Sequence, residues 1–355
     1  MLGSSLSARV TASVRSPSCR TKGAAMSIAA LVAASAASAD DRPDYQPFSG
    51  SVHLRYLNAE RGGIRAVPRI GLSFGGKPIR AELDSGSTGV VVAAAFIPGF
   101  DQLPVNGEGR LTYTSSGRVM IGSWVTTALT LTGADGTSVT TEPMPVLAVT
   151  KVECLKQARN CNEDDTPRGI AMVGVGFARE GDRQAQSTPE KNPLLRVAGE
   201  GKWRRGYVLT AEGVDVGLTA DTTRGDIRFI KLERQADLPD WKGIPACITI
   251  AGATPPACGS MLVDTGVGDM FMTAPASQAA EAPLPDGTEV AIAIGDDTAL
   301  LYSFKVGDRA DPVAPGRIHL NVSDRTPFVN TSFHLLNGFD VLYDADGGYA
   351  GFRQR

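Results

Sequence analysis

Two short segments carry side chains suited to acid–base chemistry: Glu82-Leu83-Asp84-Ser85-Gly86-Ser87 and Leu262-Val263-Asp264-Thr265-Gly266-Val267. Each offers an aspartate followed by a hydroxyl residue and a glycine. Each also precedes an apolar run, Val90-Val91-Val92 in one case and Met270-Phe271-Met272 in the other. A single Asp-Ser/Thr-Gly is a weak signal, because about 0.4 such tripeptides arise by chance from this composition. Most are turns in which the aspartate caps backbone and the glycine supplies a positive φ. The repetition is more informative. The two aspartates lie 180 residues apart (264 minus 84), one in each half of the chain, as a duplicated architecture requires.

A pair of carboxyl groups in contact could hydrolyse an amide without a metal or a covalent nucleophile. One would deprotonate a water while the other protonates the carbonyl oxygen. Like charges that close cannot both ionise, so the pair retains one proton and titrates as a unit.

Such loops need rigid strands to hold them, and the rest of the sequence supplies strand patterns. Runs such as Ile70-Gly71-Leu72-Ser73-Phe74, Ala128-Leu129-Thr130-Leu131 and Ile227-Arg228-Phe229-Ile230 have strand length. Turn residues bound them at Gly75-Gly76, Gly133-Ala134-Asp135-Gly136 and Asp286-Gly287. Forty glycines and 22 prolines in 355 residues favour an all-β chain over a helical one. Short helices are expected only at residues 193–197 and 333–337. The polar stretch 179–192 is expected to be a surface loop near a domain boundary.

With these segments in order, the chain resembles the pepsin family of two-lobed aspartic proteases, as an exported, bacterial-like member. That family pairs each catalytic loop with a later apolar-apolar-Gly segment threading the same lobe. Met172-Val173-Gly174 resembles the first such segment, and Phe328-Val329-Asn330 the second. Val341-Leu342-Tyr343-Asp344 and Tyr349-Ala350-Gly351-Phe352 are similar to the family's terminal strands. Leu111-Thr112-Tyr113-Thr114-Ser115-Ser116-Gly117 resembles the flap hairpin over the cleft, with Tyr113 as the flap tyrosine that meets substrate. The resemblance implies an all-β, two-lobed fold with the active-site cleft between the lobes: residues 40–192 carrying Asp84 and the flap, residues 193–355 carrying Asp264. It implies an aspartic endopeptidase in which Asp84 and Asp264 jointly bind and activate water. Ser85 and Thr265 would brace the two loops, Gly86 and Gly266 would allow tight turns beneath the carboxylates, and Ser87 would hydrogen-bond Asp84.

Three positions depart from the family pattern. Val267 stands where pepsins carry Ser or Thr, which removes an expected donor to Asp264; such a loss costs on the order of 1–3 kcal/mol in positioning. Val91 replaces a Trp that bonds the flap tyrosine, which would leave Tyr113 less restrained. Asn330 replaces a glycine, a site where Asn tolerates positive φ better than most residues.

Residues 1–39 contain no acidic side chain. They carry Arg9, Arg15, Arg20 and Lys22 ahead of an Ala-rich run that ends in Ala37-Ser38-Ala39. This reads as an export signal, with an organellar transit peptide as the alternative. The expected location is periplasmic or secreted. Without the leader the charge balance is 31 basic against 38 acidic residues, a net of −7. No basic stripe supports a nucleic-acid partner, and no later run has the 18 apolar residues of a membrane span. Only 44 residues (40 to 83) separate the proposed cleavage point from Asp84, and strand-like runs at 51–57 and 67–74 fill them as parts of the first lobe. No activation segment is therefore expected. Beyond the leader, the cysteines form two close pairs, Cys154 with Cys161 and Cys247 with Cys258, which suggests disulfides. A zinc site would compete, but no CxxC spacing occurs and the histidines, His53, His319 and His334, are scattered.

No cofactor or metal is expected; the resemblance implies a polypeptide substrate, and two lobes in one chain make a second copy unnecessary for the site, so a monomer is expected. Asp164-Asp165 and Asp296-Asp297 read as solvated loop charge, and Trp124, Trp203 and Trp241 as packing residues. No histidine sits in a nucleophile motif such as G-x-S-x-G, which disfavours a serine-hydrolase triad. The competing reading within the same fold is a pepsin-like binding or inhibitor protein with a weak or inactive site.

Overall fold

Among the described residues, short β-branched and apolar runs punctuated by glycine turns become strands, with short 3₁₀ segments between them. The computed structural model describes residues 42–61, 63–113, 116–158, 161–179, 188–199, 201–295 and 300–355. The proposed leader, Thr114-Ser115 of the flap tip and Asp296-Asp297 lie outside these. Residues Arg42–Arg355 form one unit by their contacts.

Three sheets build it. A nine-stranded sheet runs in the order Val105–Tyr113, Arg118–Thr127, Met144–Cys154, Thr88–Ala93, Ala171–Val175, Ile79–Asp84, Arg69–Ser73, Thr130–Thr132 and Ser138–Thr140. A seven-stranded sheet runs Leu301–Lys305, Glu289–Ile294, Ile244–Ile250, Ala257–Leu262, Phe328–Asn330, Met270–Ala274 and Ile318–Val322. The third, six-stranded, runs Val52–Arg55, Gly213–Val216, Gly206–Leu209, Phe339–Asp344, Tyr349–Gln354 and Arg228–Lys231. The strand Val52–Arg55 thus pairs with Gly213–Val216 in this third sheet, not with the sheet that carries Asp84. Alternation in a sequence specifies a strand and its buried face, here Leu54, but not which distant strand it joins.

The strand that follows Asp84 is covered along its whole length. All six residues of Thr88–Ala93 are buried, which is why this segment reads as a continuous apolar run rather than an alternating one. Leu83 and Val263, each just before an aspartate, are fully buried. Burying a side chain of that size contributes about 1.5–3 kcal/mol, so each loop is anchored at its root.

The threading segments pair as their positions require. Ala171–Val175 lies parallel to Ile79–Asp84 and antiparallel to Thr88–Ala93, between the two arms of the Asp84 loop. Phe328–Asn330 repeats this between Ala257–Leu262 and Met270–Ala274. A Cβ on Gly174 would lie 2.6 Å from the Gly89 carbonyl oxygen, so only glycine permits this crossing.

The expected short helices are 3₁₀ turns at Pro193–Leu195 and Phe333–Asn337. Stretch 179–192 differs from a plain surface loop, because Arg179 and Asn192 at its ends are buried. Asn192 turns inward because its Oδ1 accepts the Leu194 N–H at 3.0 Å and caps the first of those turns. Cys154–Cys161 and Cys247–Cys258 are disulfides, the second joining directly opposed residues of two neighbouring strands. Trp124 and Trp241 are buried, and Trp203 lies against Gly50 and Gly217.

Candidate active site

The Asp84 and Asp264 loops meet through a reciprocal lattice of hydrogen bonds. Thr265 Oγ1 accepts the Ser85 N–H at 2.9 Å and donates to the Leu83 carbonyl at 2.7 Å. In mirror fashion, Ser85 Oγ accepts the Thr265 N–H at 3.0 Å and donates to the Val263 carbonyl at 2.7 Å. Both hydroxyls are buried, so each unmade bond would strand a polar group out of water at about 1–3 kcal/mol.

Gly86 and Gly266 serve a different purpose from the one the sequence suggests. Neither has a positive φ. A Cβ on Gly86 would lie 2.2 Å from Asp264 Cγ, and one on Gly266 would lie 2.5 Å from Asp84 Cγ. Each glycine is bare so that the opposite carboxyl group can rest against its backbone, and this brings the two aspartates together.

The carboxyl oxygens are held in matching ways. Asp84 Oδ1 accepts the Gly86 N–H at 2.7 Å, and Asp264 Oδ1 accepts the Gly266 N–H at 2.8 Å. Asp84 Oδ2 accepts a hydrogen bond from Ser87 Oγ. Asp264 Oδ2 accepts one from Asn330 Nδ2 at 2.6 Å. Asn330 is therefore not a positive-φ substitute for glycine. It lies in strand conformation, and its amide reaches the oxygen that Val267 leaves without a hydroxyl donor. Its own Oδ1 accepts the Ser332 N–H at 3.2 Å, which orients the amide so that nitrogen faces Asp264. The signal was visible as two departures in one site, a lost donor at 267 and a gained amide at 330, yet strand pairing was needed to join them.

Asp84 and Asp264 are 7% and 6% exposed. Burial first, then the neighbouring Asp84 carboxyl, pushes Asp264 up to about 8, against the opposing pull of the Asn330 and Gly266 hydrogen bonds. Burial and the contact of two like-charged groups thus oppose ionising both carboxyls at once.

Tyr113 stands at the end of the hairpin strand Val105–Tyr113. Its hydroxyl donates to Met172 Sδ at 3.3 Å, and its ring packs with the cluster that contains Val91 and Met172. Burial and the charge of Asp84 raise its phenol, with the Ser87 hydroxyl interacting in the opposite sense. The hydroxyl of Tyr113 is thus held by Met172, close enough to Asp84 to feel its charge.

The remaining singled-out residues have partners of their own. His53 pairs with Asp215 at 2.7 Å, and His319 with Asp269 at 2.9 Å. His334 Nδ1 meets the Pro312 carbonyl at 2.9 Å. Asp164 Oδ1 accepts the Thr166 N–H, and Asp165 lies 3.5 Å from Lys151 Nζ.

No protein-family model matches the sequence, and no curated protein does. Among solved structures, an aspartic proteinase from Irpex lacteus superposes with a TM-score of 0.53 at 13% sequence identity. The match covers 86% of this chain and 97% of that one. At that identity the similarity speaks to fold and not to a bacterial or any other branch. Among the described residues no helix is long and apolar enough to cross a membrane. Taken with its sheets and threaded loops, the chain has the two-lobed, all-β fold of the pepsin-like aspartic proteinases.

Proposed function

We propose that this protein is an aspartic endopeptidase in which Asp84 and Asp264 hydrolyse peptide bonds by activating a shared water. The observation that carries the reading is the contact of two buried carboxyl groups on mirrored, mutually braced loops, each carboxyl held by two donors. The ionised carboxyl takes a proton from water as the water oxygen attacks the peptide carbonyl carbon. The protonated carboxyl donates to the carbonyl oxygen, giving a neutral tetrahedral diol. Return of a proton to the amide nitrogen then allows the C–N bond to break and both products to leave. Ser85, Gly86, Ser87, Thr265 and Gly266 position the pair. Tyr113 closes over a bound peptide from the Asp84 side. The lobe boundary falls near residue 192, the leader directs the chain out of the cytoplasm, and the two disulfides suit an oxidising compartment.

Incubating the purified protein with a broad peptide library tests this reading, with Asp84→Ala and Asp264→Ala proteins alongside. The expected result is internal cleavage by the parent protein alone, blocked by a statine-type transition-state analogue. A folded parent protein that cleaves nothing between about pH 3 and 8 would point instead to a binding protein on the same fold.

A further inference from the structure

We infer that Asn330 is a positioning residue of the carboxyl pair, a one-way donor that keeps Asp264 Oδ2 an acceptor and sets where the pair titrates; this rests on the proposed protease reading. The two outer oxygens are served by groups of different capability. Ser87 Oγ can donate to Asp84 or accept from it, since a hydroxyl does both. The Asn330 amide nitrogen can only donate, and the Ser332 N–H fixes Asn330 Oδ1 facing away. A proton on Asp264 Oδ2 would confront an amide N–H, so Asn330 favours the state in which this oxygen is unprotonated.

Asn330 reaches this place because its strand is threaded. Val329 and Asn330 pair with Met261 and Leu262 on one side, and with Met272 and Phe271 on the other. The donor therefore comes from a strand remote in sequence, whereas Ser87 belongs to the same loop as its aspartate. Val267 completes the exchange, since its backbone carbonyl accepts the Phe333 N–H at 3.1 Å while its side chain offers no donor. Of the titratable side chains around Asp264, Asp84 faces it from the opposite loop and Tyr343 from the strand Phe339–Asp344. Tyr113 feels the charge of Asp84, and Arg179 acts on Tyr113 in the opposite sense. The side-chain amide donor on Asp264 Oδ2 is Asn330.

The test follows the carboxyl carbons of ¹³C-aspartate-labelled protein by NMR from about pH 3 to 9, in parallel with pH–rate profiles. Parent, Asn330→Ala and Asn330→Ala/Val267→Thr proteins are compared, with Asn330→Asp added for the rate profiles alone. Removing a donor from the charged form should raise the titration of the pair by roughly one pH unit or more. In the rate profiles the limb governed by the base should move by the same amount, with kcat lowered roughly 10-fold or more and KM little changed. A hydroxyl restored at 267 should return both readouts to within about threefold of the parent. Asn330→Asp keeps the shape and the Ser332 contact but loses the donor, so it should lose activity despite folding. An unchanged carboxyl titration in folded Asn330→Ala protein would overturn the inference. A parent protein with no Asp84-dependent cleavage would overturn the protease reading, and the NMR titration would still decide the role of Asn330.

Discussion

The Asp84 loop and the Asp264 loop solve one geometric problem with different residues. Both follow a strand whose last two residues are buried, both are crossed by a threading strand, and both lend a hydroxyl to the opposite backbone. In both, the glycine two residues after the aspartate donates to Oδ1. They diverge at the outer oxygen, which takes Ser87 from its own loop on one side and Asn330 from the threading strand on the other. They diverge again at the hairpin strand Val105–Tyr113, where Tyr113 bonds Met172 Sδ and feels the charge of Asp84. What the two halves preserve is a set of donors in space. The sequence position of a donor is free to move when a neighbouring strand passes close enough to replace it.

The comparison can be broken most forcefully at the shared part. If the two loops form one catalytic unit, Asp84→Ala and Asp264→Ala should each lower kcat/KM by roughly 10²–10⁴-fold, and the double variant should be little worse than either. Peptide cleavage assays read this directly, and additive losses would mean the aspartates act separately. The braces come next. Thr265→Val and Ser85→Ala each remove two buried hydrogen bonds, so each should cost about 2–5 kcal/mol by urea denaturation. Near-equal costs would sharpen the mirror relation, and a cost confined to one side would contradict it.

A pH effect should follow from the raised carboxyl. Asp264 titrates near 3.8 when unfolded and higher when folded, so the folded chain holds more protons in the interval up to about 8. This group's contribution to stability is therefore greatest at acid pH and falls as pH rises through that window. Asp264→Asn should flatten the dependence, gaining roughly 2–4 kcal/mol at pH 8 relative to the parent and little at pH 4. Melting temperatures at the two pH values check it, and an equal change at both would argue against a buried, proton-sharing pair. The smallest effect belongs to the flap. Tyr113→Phe removes one hydrogen bond to Met172 Sδ from a packed ring, so stability should change by less than about 1 kcal/mol. A few-fold loss in kcat/KM with unchanged stability would place Tyr113 in contact with substrate.

Local chemistry was legible in the sequence and distant pairing was not. The twin Asp-Ser/Thr-Gly segments, both threading strands and both disulfides stand out because each is written in a few consecutive residues or a short cysteine spacing. The partner of Val52–Arg55 did not, because alternation sets which face is buried and leaves the neighbouring strand open. Gly86 and Gly266 were recognised for turning, yet their true constraint is the carboxyl group arriving from 180 residues away. Asn330 was visible only as a departure, because its partner Asp264 lies 66 residues earlier and meets it through the sheet. Tyr113 looked unrestrained for the same reason: Met172, which holds it, comes from a strand 59 residues later.

The most direct test of the account is the pH–rate profile of kcat/KM for one cleaved peptide, measured on the parent, Asp84→Ala and Asp264→Ala proteins. Two carboxyl groups sharing one proton predict a bell with an acid limb and a basic limb in the parent, and in either variant a rate lowered roughly 10²–10⁴-fold with the bell lost. Cleavage that survives the loss of either aspartate, with both limbs intact, would contradict the claim that these two side chains perform the reaction together.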